Sequence, residues 1–152
     1  MIGALHQDLD ADQLERWVEL RMNRQRLLSR DDSPTLWAIL DEAVLRRPVG
    51  GPGVMKEQLQ VLGEADTRPN VTLQVLPFTS GEHAGMDGGF TIFGFSQSAA
   101  SDVVHLDNTT GDLYLENPGE IEQYNQVFDR LRSAALEPAD SIALLDRLAG
   151  QL

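Results

Sequence analysis

Three histidines and a scatter of acidic residues are the side chains with which this chain could do chemistry. His83 stands beside Glu82 and near Asp87, a combination that can ligate a metal ion or act as a general base. His105 and Asp107 alternate along a predicted strand, so both fall on one face and could add ligands. Their spacing matches no known zinc arrangement, and the chain has no cysteine to supply thiolates. A histidine among glycines serves first as a polar turn residue, so no metal site and no cofactor is assigned. Ser80, Ser96, Ser98 and Ser101 bring hydroxyls, but none sits in the Gly-x-Ser-x-Gly turn of a nucleophile elbow. Asp112 and Glu116 flank Tyr114 and could share acid–base work. Exposed positions on a strand account for them more simply.

The stretch Phe78 to Gly89 reads Phe-Thr-Ser-Gly-Glu-His-Ala-Gly-Met-Asp-Gly-Gly. Its glycines let a backbone approach a ligand closely. It follows the second strand of a predicted βαβ unit, and in open α/β sheets ligands favour the carboxyl ends of such strands. The spacing is neither a dinucleotide fingerprint nor a P-loop, since no Lys-Ser/Thr pair and no helix follow. Two readings stay open: a recognition loop, or a plain connection between strands. As a recognition loop it would present Phe78, Gly81, His83, Gly85, Asp87 and Gly89. His105, Asp107 and the strand ends near Asn108 to Asp112 would extend that surface.

The elements that must position these residues follow from local patterns. Asp10 and Gln13 form a capping pair for a first helix, on which Leu14, Trp17, Val18 and Met22 recur at helical spacing. Five arginines, Arg16 to Arg30, are interleaved with them and read as a solvated face opposite Asp12, Glu15 and Glu19. Ser33-Pro34 breaks the helix, and the apolar run Thr35 to Leu40 predicts a buried strand. Residues 48–53 hold three glycines and two prolines, a turn. A helix bearing Met55, Gln58, Leu59 and Leu62 comes next, then a strand over Val71 to Leu76 with Gln74 on its polar side. Further strands are predicted over Phe90 to Phe95, Val103 to Leu106 and Leu113 to Leu115. Asn117-Pro118-Gly119-Glu120 is a strong helix start. The apolar stripe behind it holds Tyr124, Val127, Phe128 and Leu131 and reads as core. A last helix after Pro138 carries Ile142, Leu145 and Leu148. The expected fold is α+β, near α/β: a mixed sheet of about five strands with one βαβ unit, flanked by about four helices.

With 152 residues the chain fits one domain with a core of its own. Its net charge of -12, from 24 acidic and 12 basic residues, speaks against a duplex-DNA surface, which needs clustered positive charge. No apolar run approaches the ~20 residues of a membrane helix, and Met1 to His6 shows no export signal. A cytoplasmic location is expected.

Several stretches together carry a resemblance. They are Arg24-Gln25, Leu36 to Arg47, Val49-Gly50-Gly51, Met55 with Gln58-Leu59, Val71 to Pro77, Gly81 to Gly85, and Gly89 to Ile92. Their order resembles the C-terminal domain of unknown function of actinobacterial Xre-type helix-turn-helix regulators, a family also described as antitoxin-like. The resemblance runs over residues 14–148. It implies regulation, with a small partner protein or a small-molecule effector, and it brings no catalytic residue. Val103 to Asn108 departs from the family's Tyr-Val-Glu-like strand through His105, while Asp107 keeps the acidic position. The resemblance places a helix-turn-helix ahead of a segment like Met1 to Leu9, and residues 1–152 are expected to be a single effector domain without one. The expectation is thus a protein-interaction or ligand-sensing domain of a bacterial transcriptional regulator, not an enzyme. It would reach DNA only through that missing N-terminal domain. The alternative is a small hydrolase or lyase using His83 or His105 with nearby carboxylates.

Overall fold

The structure, a computed structural model, describes residues 10–95, 102–108 and 111–152. Ser96, Ser98, Ser101 and the start Met1 to Leu9 lie outside the described residues. The fold is α+β, as expected: five helices and five strands among the described residues. The chain divides into two compact units, one of residues 1–75 with 136–152 and one of residues 76–135.

The first unit begins with helix α1, Ala11–Arg26. Asp10 caps it as its neighbours dictate: the Gln13 N–H donates to the Asp10 carboxylate at 2.7 Å, and the Asp10 N–H to Gln13 Oε1 at 3.1 Å. The helix buries none of its residues, so the stripe of Leu14, Trp17, Val18 and Met22 is exposed. Strand β1, Leu36–Asp41, then pairs in parallel with β2, Val71–Leu76. Between them lie the short helix α2, Glu42–Arg46, and helix α3, Pro52–Gly63. This is the expected βαβ unit. Gly50 and Gly51, with φ of 79° and 91°, make the turn into α3. Gly50 has a second reason to be glycine, because a Cβ there would lie 2.9 Å from Val54.

Helix α5, Pro138–Ala149, packs beside α3. Leu45, Met55, Leu59, Leu73, Val75, Leu144, Leu145 and Leu148 form the core between these elements. The free edge of β2 is closed without a third strand. The Leu136 N–H donates to the Val75 carbonyl at 2.9 Å, and the Val75 N–H donates to Ser141 Oγ at 2.9 Å. Gln74 is buried as well: its side chain accepts from Trp37 Nε1 at 2.8 Å and donates to the Leu136 carbonyl at 2.9 Å. Buried amides need such partners, and these satisfy both ends of Gln74.

That closed edge explains one departure from the sequence reading. The strands do not make one mixed sheet; among the described residues they form the parallel pair and a separate antiparallel triple. Leu136 and Ser141 occupy the edge where another strand would pair, and Pro77, directly after β2, has no N–H to extend a ladder. A second departure is α2, which raises the helix count by one. The Asp41 carboxylate accepts the Ala43 N–H at 2.7 Å and starts it, and Glu42, buried, is held by Arg46 at 2.6 Å.

The second unit is an antiparallel meander with one helix. Strands β3 (Phe90–Phe93), β4 (Val103–Asn108) and β5 (Gly111–Leu115) pair in that order. Register places Phe90 opposite Leu106, Thr91 opposite His105, and His105 opposite Tyr114. Alternation therefore sends Phe90, Ile92, Val104 and Leu106 to one face and Thr91, Phe93, His105 and Tyr114 to the other. Helix α4, Pro118–Ala134, packs against β3 and β4, and Val104 is fully buried. Asn117 caps α4 by accepting the Gly119 N–H at 2.9 Å.

Candidate ligand cleft

The glycine loop is built as a chain of turns. Phe78–Ser80 is a single 3-10 turn, and the Ser80 hydroxyl donates to the carbonyl of Ala134 at the end of α4, 3.0 Å away. Gly81 then takes a positive φ of 65°. His83 organises the next turn. Its Nδ1 accepts the Gly85 N–H at 3.3 Å, and its carbonyl accepts the Met86 N–H at 3.3 Å. The Gly88 N–H closes a second turn onto the Gly85 carbonyl at 3.4 Å. Gly85 sits against α4, since a Cβ there would meet the Leu131 methyls at 3.2 and 3.3 Å. The loop is therefore fixed to the helix at Ser80 and at Gly85.

Loop, sheet and helix enclose a cleft of about 260 Å³. The loop contributes Asp87 and Gly89, the sheet Phe90 and Asp107, and the helix Gln123 and Tyr124. Leu106 and Val127 add apolar wall. The rings of Phe90 and Tyr124 meet edge to face, with centroids 5.0 Å apart at 61°. Ligands favour concave sites that combine apolar walls with a few polar groups; this cleft is about equally polar and apolar and is just under the roughly 300–1,000 Å³ of sites for drug-sized molecules.

Three of the eight residues singled out in the sequence line this cleft: Asp87, Gly89 and Asp107. His83 and Gly85 support its loop from behind. Gly81 makes the loop's entry turn, and Phe78 lies exposed in the 3-10 turn. His105 is not brought to His83. It belongs to the opposite sheet face, with Nε2 3.2 Å from the Asp112 carboxylate and its ring 4.9 Å from that of Tyr114. Among the described residues, no three His, Asp or Glu side chains converge on a point that could hold a metal ion. Of the proposed extension near Asn108 to Asp112, Thr109 and Thr110 lie outside the described residues.

The sequence reading missed Phe90, Gln123, Tyr124 and Val127 as site residues, taking Tyr124 and Val127 as core. Tyr124 carried the available signal, being a side chain with a polar tip inside an apolar stripe.

Residues 1–147 match the family described as Domain of unknown function (DUF5753). The chain belongs to this family. No curated protein and no solved structure matches it. Within this DUF5753 chain, no described helix is long and apolar enough to cross a membrane.

Proposed function

We propose that this chain is the effector domain of an Xre-type, antitoxin-like bacterial transcriptional regulator, and that it senses a small molecule through the cleft under its glycine loop. It is a binding module working in the cytoplasm, and a linked helix-turn-helix reads the DNA. The observation that carries this reading is the convergence of Asp87, Gly89 and Asp107 with Phe90 and Tyr124 around one cleft. The order of motifs that resembles Xre-type regulators, and the acidic charge, support it from the sequence. For sensing to alter regulation, the ligand must bind two states of the domain unequally. A loop fixed at Ser80 and Gly85 but built from turns between them is suited to that. A partner protein remains a second kind of effector for the same surface.

A His–carboxylate pair, His105 with Asp112 at 3.2 Å, favours a second reading as a small hydrolase or lyase. One experiment separates the two. The chain is joined behind an Xre-type helix-turn-helix, and an operator-driven reporter is read. Gly89→Leu adds bulk at a residue lining the cleft without backbone strain: Gly89 has no positive φ, and a Cβ there meets nothing within 4 Å. The expected result is a several-fold reporter difference between the fusion and the helix-turn-helix alone. Gly89→Leu is expected to abolish it, and a His105→Ala variant to keep it. Identical output with and without the chain would sink the regulator reading. Loss in the histidine variant alone would turn the argument toward histidine chemistry.

A further inference from the structure

We infer that helix α1 is the surface on which a second copy of this chain packs, with the two helices antiparallel. The helix has 16 residues and buries none of them. Helix α5, with 12 residues, buries Ser141, Leu144, Leu145, Leu148 and Ala149. Asn70 tethers the chain just after α1, where its side-chain amide donates to the Leu28 carbonyl at 3.2 Å. A lone helix of about this length is marginal in water even in an alanine-rich sequence. Yet α1 carries an apolar side. Leu14, Val18 and Met22 stand four residues apart and so share one face, with Val18 47% and Met22 53% exposed. In globular proteins such a stripe is turned toward a cover.

The charges along α1 select the occupant. From Asp10 to Val18 the sequence holds three acidic residues, Asp10, Asp12 and Glu15, and one arginine. From Glu19 to Leu27 it holds three arginines, Arg21, Arg24 and Arg26, and one acidic residue. A helix with halves of opposite charge complements a copy of itself laid antiparallel and repels one laid parallel. Charges beside an apolar seam set partner and orientation in helix pairs in this way. An antiparallel pair centred on Val18 brings Asp12 and Glu15 of one copy level with Arg24 and Arg21 of the other. Leu14 and Met22 are level in the same register. The two-fold axis relating the copies closes the contact, so association stops at the dimer.

The test is sedimentation equilibrium of the chain across the micromolar range. Two single helices make an interface below the roughly 1,200 Å² of stable complexes, so a monomer–dimer equilibrium with Kd on the order of tens of micromolar is expected. Leu14→Ser/Val18→Ser should weaken the dimer by roughly tenfold or more. Both positions are exposed and lie outside the core, so that variant is expected to keep its fold. Arg21→Glu/Arg24→Glu should weaken the dimer too, because both halves of α1 become acidic. Adding Asp12→Arg/Glu15→Arg to that variant should restore it, since the halves are again opposite in charge with their order reversed. A chain that stays monomeric throughout would overturn the inference. A dimer that the serine variant leaves unchanged would place the contact elsewhere and overturn it as well. A dimer indifferent to the arginine variant, or one that the added reversal fails to restore, would overturn the antiparallel charge match.

Discussion

The two strand ladders are built to different ends. In the parallel pair, β2 is buried from Leu73 through Leu76, and even its polar Gln74 is enclosed and bonded at both ends. In the antiparallel triple, one face is covered by α4 while the other leaves Phe93 45% and Tyr114 56% exposed. A strand with both faces and its edge satisfied contributes stability and has little freedom to do anything else. A sheet with one covered face can leave a gap between strand and helix, and the cleft lies there. The difference teaches where to look for each property: folding energy in the first unit, recognition in the second.

The largest effect should come from the core of the first unit. Leu145 is fully buried among Leu59, Val75 and Leu148. Leu145→Ala removes that contact area and leaves a cavity, a loss of about 2–5 kcal/mol. Tyr114→Thr, on the open face of the triple, keeps a β-favouring residue and gives up mainly its contact with the His105 ring, under about 1 kcal/mol. Urea denaturation of the two variants checks this. Equal costs would break the contrast between the units.

Two serines sharpen it further. Ser133 on α4 and Ser141 on α5 both donate to the carbonyl four residues back, Asp129 at 2.8 Å and Glu137 at 3.0 Å. Ser141 in addition accepts a strand amide, from Val75. Ser141→Ala would leave that buried N–H without its acceptor, at a cost of about 1–3 kcal/mol. Ser133→Ala, on an exposed helix surface, should change stability by about 0.5 kcal/mol or less, since alanine is the better helix former. A Ser141→Ala variant as stable as Ser133→Ala would show that the β2 edge is not held as described.

These partners also mark how far the sequence could be read. β2 was legible at its bounds and α4 at its start, because Val71, Leu73 and Val75 alternate with Thr72 and Gln74, and because Asn117-Pro118 opens a helix. Helix α2 was not, since five residues around Ala43-Val44-Leu45 are too few to show a period. Alternation assigned Gln74 to a polar face, and it cannot reveal that both faces are covered. The groups that make its burial tolerable, Trp37 and Leu136, are 37 and 62 positions away. Division into two ladders was hidden for the same reason, because Leu136 and Ser141 close an edge from far along the chain. At the site, the glycine loop announced itself by composition. Tyr124 and Val127 did not, because a helical stripe looks the same whether it fills a core or walls a cleft.

The smallest expected effect lies on the open face of the triple. Asp107 stands opposite Asp112 across the β4–β5 ladder. Like charges in opposed positions destabilise a sheet, here in part relieved because His105 lies 3.2 Å from Asp112. Asp107→Asn should therefore stabilise the chain slightly, by about 0.5 kcal/mol or less, and the gain should fade in high salt. A gain that persists unchanged in high salt would show that charge repulsion across the ladder is not its cause. If Asp107→Asn instead destabilised the sheet, its carboxylate would be a structural part of the ladder, and the opposed pair would hold the strands together rather than push them apart.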